Sequence, residues 1–351
     1  MLSAGFGLPL TRQVKPVQLN MKKKILITRP LFPDVVGRLR EYFDVTINEG
    51  PRYTSAQLHE ALRGMSGAVV AGGEKIDDEV LAGLRELKAI CVSAAGYNNI
   101  DVAALTRAGV IGTNSPGPAD ETVADFAWGL MIATARRIVE GALWVEQGQW
   151  KGTAGSRFFG TNVCDKTLGV IGMGRIGQAI ARRAVGFRMT VLYHNRRRLD
   201  AGLEAECRAA YRTKEELLRE SDLVILALPL TAENYHLIGS SELSLMRPSA
   251  MLFNIARGGL IDEAALAAAL KDNVLAGAGL DVFEAEPVVY PGLMGLSNVV
   301  ITPHIAGGTA EAQHGLASLA ADNLIAALGL GPQAGKPPSV FNPEVLSKIN
   351  Q

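Results

Sequence analysis

Three side chains with complementary chemistry each follow a predicted β-strand. Arg257 lies in "FNIARGGLIDEAAL", Glu286 in "LDVFEAEP" and His304 in "VVITPHIAGG". Open parallel sheets bind their ligands at the carboxyl ends of the strands. Arginine matches the planar shape of a carboxylate, histidine can donate a proton near neutral pH, and a neighbouring carboxylate keeps that imidazole protonated. Together with a source of hydride, these groups are what the reduction of a 2-oxo acid requires.

Each of these residues also has an ordinary structural explanation. An arginine in a loop after a strand is usually a surface or ion-pair residue, and a glutamate before proline is usually a loop charge. A histidine after "TP" is more often a buried hydrogen-bonding group than a catalyst. Their joint position after three strands of one domain favours the catalytic interpretation.

A glycine motif precedes the three residues along the chain. Gly172, Gly174 and Gly177 form G-x-G-x-x-G directly after a predicted strand and at the start of a predicted helix. The first glycine permits a tight turn, the second lets the backbone approach a pyrophosphate, and the third allows close packing of helix on strand. The helix N-terminus favours the negative charge of the phosphates. In this context the motif predicts a dinucleotide-binding site.

The next predicted strand, "VLYHNRRR", ends without the acidic residue that hydrogen-bonds the adenosine ribose in proteins that bind NAD. That position falls near His194, and Asn195, Arg196, Arg197 and Arg198 follow it. A 2′-phosphate carries about −1.5 to −2 charges, so a carboxylate would repel it and an arginine would hold it. The sequence therefore predicts that Asn195, Arg196 and Arg197 bind the 2′-phosphate and give a preference for NADPH. Arg198 is expected to face solvent, and NADH is expected to remain usable. A solvated basic turn is the alternative.

Composition limits the class of protein. The 351 residues are 48% hydrophobic, include 38 glycines and carry equal numbers of acidic and basic side chains. This balance argues against a basic face for nucleic acid, and no apolar run approaches the roughly 18 residues of a membrane helix. Three widely spaced cysteines, Cys91, Cys164 and Cys207, indicate reduced thiols in the cytoplasm and argue against a disulfide framework or a metal site.

Short apolar runs alternate with amphipathic segments from Lys24 onward. This pattern predicts an α/β fold with two doubly wound parallel sheets. Residues 21–119 and 308–345 are assigned to a flavodoxin-like substrate domain. A Rossmann dinucleotide domain with six predicted strands, residues 120–307, is inserted into it.

The remaining segments also give definite expectations. The apolar spacing in "DDEVLAGLREL" predicts a helix from Asp77 to Leu87, and the spacing after Asp120 predicts one long helix as far as about Gln147. Residues 1–20 contain no acid and no clear period, and we expect them to be a disordered extension.

The sequence resembles the D-isomer-specific 2-hydroxyacid dehydrogenases from Lys24 to about Pro343. Among subfamilies it is most similar to the bacterial glyoxylate/hydroxypyruvate reductase B (2-ketogluconate reductase) group. The segments that carry the resemblance are "LGVIGMGRIGQAIARRA", "LVILALPLTAEN", "MLFNIARGGLIDEAAL", "AGLDVFEAEP", "TPHIAGGT", "GYNNIDVAALT", "ETVADFAWGLMIATARRIVE" and "LYHNRRR".

The resemblance implies a role for each site residue. His304 would be the general acid and base, Glu286 its partner, Arg257 the group that binds the substrate carboxylate and carbonyl, and Asp281 the group that holds the nicotinamide carboxamide. Further positions are assigned to the cofactor: Thr122, Arg175, Ile176, Leu228, Pro229, Ile255 and Ala256.

A loop of the first domain completes the implied substrate site. The backbone N–H groups of Ala95 and Gly96 would bind the substrate carboxylate, because small residues let a backbone approach an anion. Relatives often have Val and Asp where this chain has Ala95 and Asn98, so the choice of substrate within the family stays open.

The resulting expectation is an NADPH-preferring reductase that converts glyoxylate, hydroxypyruvate or 2-keto-gluconate to D-2-hydroxy acids. The resemblance also implies a homodimer, with residues 120–147 and the loop to Phe159 at the interface, and closure of the domains on substrate. An NAD-dependent D-2-hydroxyacid or phosphite dehydrogenase is one alternative, whereas formate dehydrogenases resemble the pattern with Gln at position 286. A nucleotide-sensing protein like the C-terminal-binding co-repressors is an alternative of another class.

Overall fold

The computed structural model describes residues 22–349. The extension predicted at residues 1–20 lies outside them. Two parallel sheets with helices on their faces make up this part of the chain, which confirms the predicted fold class.

The first sheet has five parallel strands in the order β2-β1-β3-β4-β5. Its central strands are buried along their whole length, as expected for a parallel sheet covered by helices on both faces. The strands are β1 (Lys24–Ile27), β2 (Asp44–Ile47), β3 (Gly67–Val70), β4 (Ala89–Val92) and β5 (Ile111–Thr113). The helices of this layer are α1 (Pro33–Tyr42), α2 (Ser55–Leu62), α3 (Asp78–Leu81) and α4 (Val102–Ala108).

The chain then crosses to the second sheet through two helices, α5 (Asp120–Ala135) and α6 (Ile138–Glu146). The prediction of one continuous helix was wrong, because Arg137 adopts a left-handed conformation with φ 52° and breaks the helix. The helix predicted from Asp77 to Leu87 was also too long. It ends at Leu81, and Gly83 follows with φ 73°.

The second sheet has seven parallel strands in the order β12-β11-β10-β9-β6-β7-β8, one more than predicted. The strands are β6 (Thr167–Ile171), β7 (Thr190–His194), β8 (Ala209–Tyr211), β9 (Leu223–Leu226), β10 (Met251–Asn254), β11 (Gly277–Leu280) and β12 (Val299–Ile301). The remaining helices are α7 (Arg175–Ala184), α8 (Ala201–Cys207), α9 (Lys214–Glu220), α10 (Ser240–Leu243), α11 (Glu263–Lys271), α12 (Ala310–Ala327) and α13 (Leu346–Ile349).

Two long helices connect the two sheets. Helix α5 packs on the second sheet, where Ala127 and Met131 lie in the same apolar core as residues of β6 and β10. After β12 the chain returns, and α12 buries Ala317, Ala320 and Leu324 against the first sheet. Helix α5 follows the carboxyl end of β5, and α12 follows that of β12. Asn98, after β4, bonds Arg257, after β10, so the carboxyl edges of the two sheets border a common cleft. Within residues 22–349, no helix combines the length and apolar character that crossing a membrane requires.

Candidate active site

His304 and Glu286 form a hydrogen-bonded pair at the carboxyl edge of the second sheet. Nδ1 of His304 lies 2.7 Å from Oε2 of Glu286, and the other carboxylate oxygen accepts a hydrogen bond from the backbone N–H of Phe283 at 3.0 Å. Because Nδ1 is engaged, Nε2 is the ring nitrogen free to exchange a proton with a ligand in the cleft. The two residues predicted from separate loops are thus brought together.

The buried carboxylate of Asp281 holds the turn that carries His304. Its Oδ1 accepts hydrogen bonds from the Thr302 hydroxyl at 2.7 Å and the Ile305 N–H at 2.9 Å. Its Oδ2 accepts one from the Ala306 N–H at 2.8 Å. Asp281 therefore positions the turn that carries His304, a role that the sequence did not indicate. Its contact with a nicotinamide carboxamide stays a prediction.

Arg257 follows β10 in a turn shaped by Asn254. The Asn254 amide donates to the Arg257 carbonyl at 2.8 Å and accepts from the Ala256 N–H at 3.0 Å. A side chain at Gly258 would overlap the backbone of Phe283, so this turn lies directly against the loop that leads to Glu286. Asn254 and Gly258 were missed from the sequence, although both stand in the quoted segment "FNIARGG".

The Arg257 guanidinium reaches the first domain. Its Nε donates to Oδ1 of Asn98 at 3.2 Å, and its Nη1 donates to the Ala256 carbonyl at 2.6 Å. A Cβ at Gly96 would overlap Nη2. Burial lowers the pKa of Arg257 from its ordinary value, while the negative charge of Glu286 opposes that shift. Arg257 and the loop that contains Ala95 and Gly96 therefore meet across the cleft, where together they could bind one anion.

The glycine motif forms the cradle that a dinucleotide needs. Gly172 has φ 100°, and a Cβ there would lie 2.5 Å from the Ala227 carbonyl oxygen. A Cβ at Gly177 would overlap the Gly172 carbonyl, whereas the space beside Gly174, at the N-terminus of α7, is open. Close backbone approach and an open helix N-terminus are what a bound pyrophosphate requires. The residues present fit the cofactor.

A groove of about 820 Å³ extends from this cradle. It is lined by seven of the sixteen residues predicted to bind the cofactor, namely Gly172, Gly174, Asn195, Arg196, Arg197, Leu228 and Pro229. The side chains of Arg196 and Arg197 are exposed. Oδ1 of Asn195 accepts a hydrogen bond from the Met173 N–H at 2.7 Å, so Asn195 also fixes the glycine loop.

Arg198 differs from its two neighbours. It forms a two-point ion pair with Glu204, through Nε at 2.7 Å and Nη2 at 2.9 Å. The hydrogen bonds from Arg198 and from the Tyr193 hydroxyl lower the pKa of Glu204 to about 2. The guanidinium of Arg198 is thus held away from the groove, beside helix α8.

Five other residues predicted to bind the cofactor differ in their contacts and in their burial. Arg175 donates from Nε to Oδ2 of Asp120 at 2.5 Å, and the Thr122 hydroxyl lies 3.4 Å from that of Thr309. These contacts join α5 to α7 and to the start of α12. The side chain of Ile255 is buried, and those of Ile176 and Ala256 are half-buried. Contact of these five predicted residues with a cofactor stays a prediction.

Comparison with known proteins identifies the family. Residues 128–306 match the family model for the D-isomer specific 2-hydroxyacid dehydrogenase, NAD binding domain. A glyoxylate reductase of Thermococcus gammatolerans is 45% identical over 334 residues, covering 93% of this chain and 98% of that protein. A glyoxylate/hydroxypyruvate reductase B of Erwinia tasmaniensis is 44% identical over 312 residues, covering 88% and 96%.

A solved structure agrees with these matches. An NADPH-dependent glyoxylate/hydroxypyruvate reductase of Sinorhizobium meliloti, in complex with NADP and malonate, superposes with a TM-score of 0.81 at 31% identity. The match covers 91% of this chain and 97% of that chain. The chain is therefore an oxidoreductase that belongs to the D-isomer specific 2-hydroxyacid dehydrogenase family, with an NAD-binding Rossmann domain.

Proposed function

We propose that the protein is an NADPH-preferring reductase of small 2-oxo acids. Its substrates would be glyoxylate, hydroxypyruvate and 2-keto-gluconate, and its products D-2-hydroxy acids. One observation carries this proposal: the Arg257 guanidinium lies against Gly96 of the other domain and is close enough to Glu286, the partner of His304, for that carboxylate to act on its pKa. The names of relatives that reduce glyoxylate and hydroxypyruvate support it.

The proposed mechanism uses each group once. The substrate carboxylate binds to the Arg257 guanidinium and to the N–H groups of Ala95 and Gly96, which fixes the plane of the 2-oxo group. A nicotinamide bound in the groove would supply the hydride for C2. Nε2 of His304 gives a proton to the carbonyl oxygen as its double bond to C2 becomes a single bond, and Glu286 stabilises the imidazolium before that transfer.

The cofactor preference is assigned to Arg196 and Arg197. Both are exposed beside the groove, and neither forms an ion pair with an acidic residue anywhere in the described part of the chain. One charge-assisted hydrogen bond is worth roughly 1.5–3 kcal/mol, and each 1.4 kcal/mol is about tenfold in affinity. Two such bonds to a 2′-phosphate would give a preference of a hundredfold or more.

We propose a homodimer that is formed through α6 and the segment after it. This surface exposes apolar residues, among them Leu143 at 48% and Phe159 at 77% of their full accessible area. Such a cluster on a globular protein marks an interaction surface. Light scattering that gave the mass of one chain at micromolar concentration would contradict this assignment.

Two further assignments accompany the proposal. The substrate domain comprises residues 21–119 and 308–345, and residues 120–307 form the dinucleotide domain. A cytoplasmic location is proposed because all three cysteines are free thiols, and reducing compartments keep thiols in that state.

Initial-rate assays test the function directly. Glyoxylate, hydroxypyruvate and 2-keto-gluconate are each offered with NADPH and with NADH, and the configuration of the product is determined. We expect turnover with NADPH and D-configured products. Turnover with NADH alone would remove the role of the two arginines. Tight NADPH binding without turnover of any 2-oxo acid would favour a nucleotide-sensing protein.

A further inference from the structure

A crevice lies at the carboxyl edge of the first sheet, between the loops that follow β1 and β3. In the strand order β2-β1-β3-β4-β5, these strands flank the topological switch point, where open α/β sheets bind ligands. The crevice has a volume of about 470 Å³. Its polar lining comes from Arg29, Ser93 and Gln313.

The crevice adjoins the substrate site that is proposed above. Ser93 precedes the loop that contains Ala95 and Gly96, and Nε2 of Gln313 donates to the Gly307 carbonyl at 2.9 Å, just beyond His304. A substrate whose carboxylate is held at Gly96 can therefore extend its other end toward this crevice.

Arg52 reaches the same edge from β2. A Cβ on Gly73 would lie 2.5 Å from Nη2 and 2.7 Å from Cζ of Arg52, so the guanidinium lies on the bare backbone of Gly73. Strand β1 separates β2 from β3, and neighbouring strands are about 4.8 Å apart. The Arg52 side chain therefore spans the end of β1 to reach the loop after β3. The absence of a side chain at Gly73 makes this position available.

The glycine pair under Arg52, Gly72 and Gly73, contacts the loop that contains Ala95 and Gly96. A Cβ on Gly72 would lie 3.1 Å from Cβ of Ala94, the residue before Ala95. The loop on which the Arg52 guanidinium lies is thus in contact with the loop whose N–H groups are assigned to the substrate carboxylate.

Among the residues that the structure describes, no acidic group forms an ion pair with Arg52. The cations around the first sheet that do form ion pairs are Arg38, Arg63, Lys75 and Arg107. Within residues 22–349, neither Arg29 nor Arg52 has an acidic group in salt-bridge range, and both side chains are exposed. A free guanidinium next to a substrate site favours ligand groups that bear oxygen.

We infer that Arg52 is a specificity-determining residue for the far end of the substrate. It binds hydroxyl or carboxylate oxygens at C3 or beyond, in a 2-oxo acid whose C1 carboxylate lies at Arg257. The preferred substrate class is therefore 2-oxo acids with a hydroxylated or acidic tail, and aliphatic 2-oxo acids are disfavoured. This inference rests on the proposed function and narrows its substrate class.

The test compares hydroxypyruvate with pyruvate, which has the same carbon chain but lacks the C3 hydroxyl. In the unaltered protein, we expect kcat/KM to be higher for hydroxypyruvate. In Arg52→Leu the ratio of the two values should fall about tenfold, the loss of one charge-assisted hydrogen bond. In Arg52→Lys, the ratio of kcat/KM for hydroxypyruvate to that for pyruvate should fall less, because the positive charge is kept.

Gly73→Ala is the second variant. Its methyl group would occupy the space of the guanidinium and displace Arg52 while its charge remains, so the ratio should fall here too. Arg63→Leu is the matched control, because Arg63 is an exposed arginine that is paired with Glu60 at 2.7 Å. An unchanged ratio in both Arg52→Leu and Gly73→Ala would overturn the inference. Failure of the unaltered protein to reduce glyoxylate, which has no C3, would instead contradict the proposed function itself.

Discussion

Asn98 of the first domain and Arg257 of the second are joined across the cleft. Oδ1 of Asn98 accepts a hydrogen bond from Nε of Arg257 at 3.2 Å, while Nδ2 donates to the Leu230 carbonyl at 2.9 Å. The amide is suited to both contacts, because it offers an acceptor and a donor without charge. Asn98 is thus a positioning residue that orients the Arg257 guanidinium and leaves its charge available.

Asn98→Asp should weaken substrate binding. The carboxylate would lose the bond to Leu230 and would place a negative charge beside Arg257, where it competes with the substrate carboxylate. We expect KM for glyoxylate to rise about tenfold or more, with a smaller change in kcat and an unchanged Kd for NADPH. Asn98→Ala removes both bonds without adding charge, and it should raise KM less. Equal effects of the two variants in steady-state assays would refute the role of charge.

Glu286→Gln should slow the reduction. The amide keeps much of the shape of the carboxylate but removes the negative charge 2.7 Å from Nδ1 of His304, the charge that favours the proton-donating form of the imidazole. We expect kcat/KM for reduction to fall at least tenfold. His304→Ala should lose about 10²–10⁴-fold, the usual contribution of general acid–base catalysis. An unchanged kcat/KM in Glu286→Gln would contradict the role of this pair.

Asp281→Asn should loosen the turn that carries His304. An amide oxygen cannot replace both carboxylate oxygens, so the N–H of Ile305 or Ala306 loses its acceptor. An unsatisfied buried donor costs about 1–3 kcal/mol, which urea denaturation would measure as a lower free energy of unfolding. The value of kcat should fall in parallel. Full stability and full activity together would show that the turn does not depend on this carboxylate.

Replacing Arg196 and Arg197 by alanine should shift cofactor use from NADPH toward NADH. We expect kcat/KM for NADPH to fall a hundredfold or more and that for NADH to change little, since only NADPH carries the 2′-phosphate. Arg198→Ala is the matched control, because its guanidinium is paired with Glu204. If Arg198→Ala produced the same shift, the assignment of the groove arginines would be wrong.

The Arg198–Glu204 pair predicts how stability depends on pH. The folded-state pKa of Glu204 is lowered from 4.5 to about 2, so its stabilising effect is fully present above about pH 4.5 and is lost as the pH falls toward 2. Glu204→Gln should therefore lower stability at pH 7, and the difference from the unaltered protein should shrink as the pH is lowered below 4.5. Denaturation curves at several pH values measure this. A difference that grew toward low pH would have the wrong sign.

The fold and the central site residues could be predicted because they depend on local or periodic features. Buried apolar runs such as β3 and β4 alternate with helices, and this pattern leads to parallel sheets. Parallel strands present their carboxyl ends at one edge, so residues that follow them, such as Arg257 and His304, were expected to converge. Gly172 and Gly177 were identified because close backbone approach tolerates no side chain there.

Two local features of the fold, a helix break and a short strand, could not be predicted from the sequence. The break between α5 and α6 occurs at Arg137 with φ 52°, and no glycine or proline marks it. Strand β8 (Ala209–Tyr211) has only three residues and is flanked by Arg208 and Arg212, so its apolar run is shorter than the roughly four to eight residues that indicate a strand.

By itself, then, the sequence determined which strand each candidate site residue follows, because periodicity and glycine geometry are properties of neighbouring residues. Only the tertiary structure decided what each side chain touches across the cleft. The bonds of Asn98 to Arg257 and to Leu230 link positions more than 130 residues apart. Arg52 meets Gly73 because the parallel strands that they follow, β2 and β3, end at the same edge of the first sheet. Such contacts follow from the packing of two sheets, a long-range arrangement that no local pattern encodes.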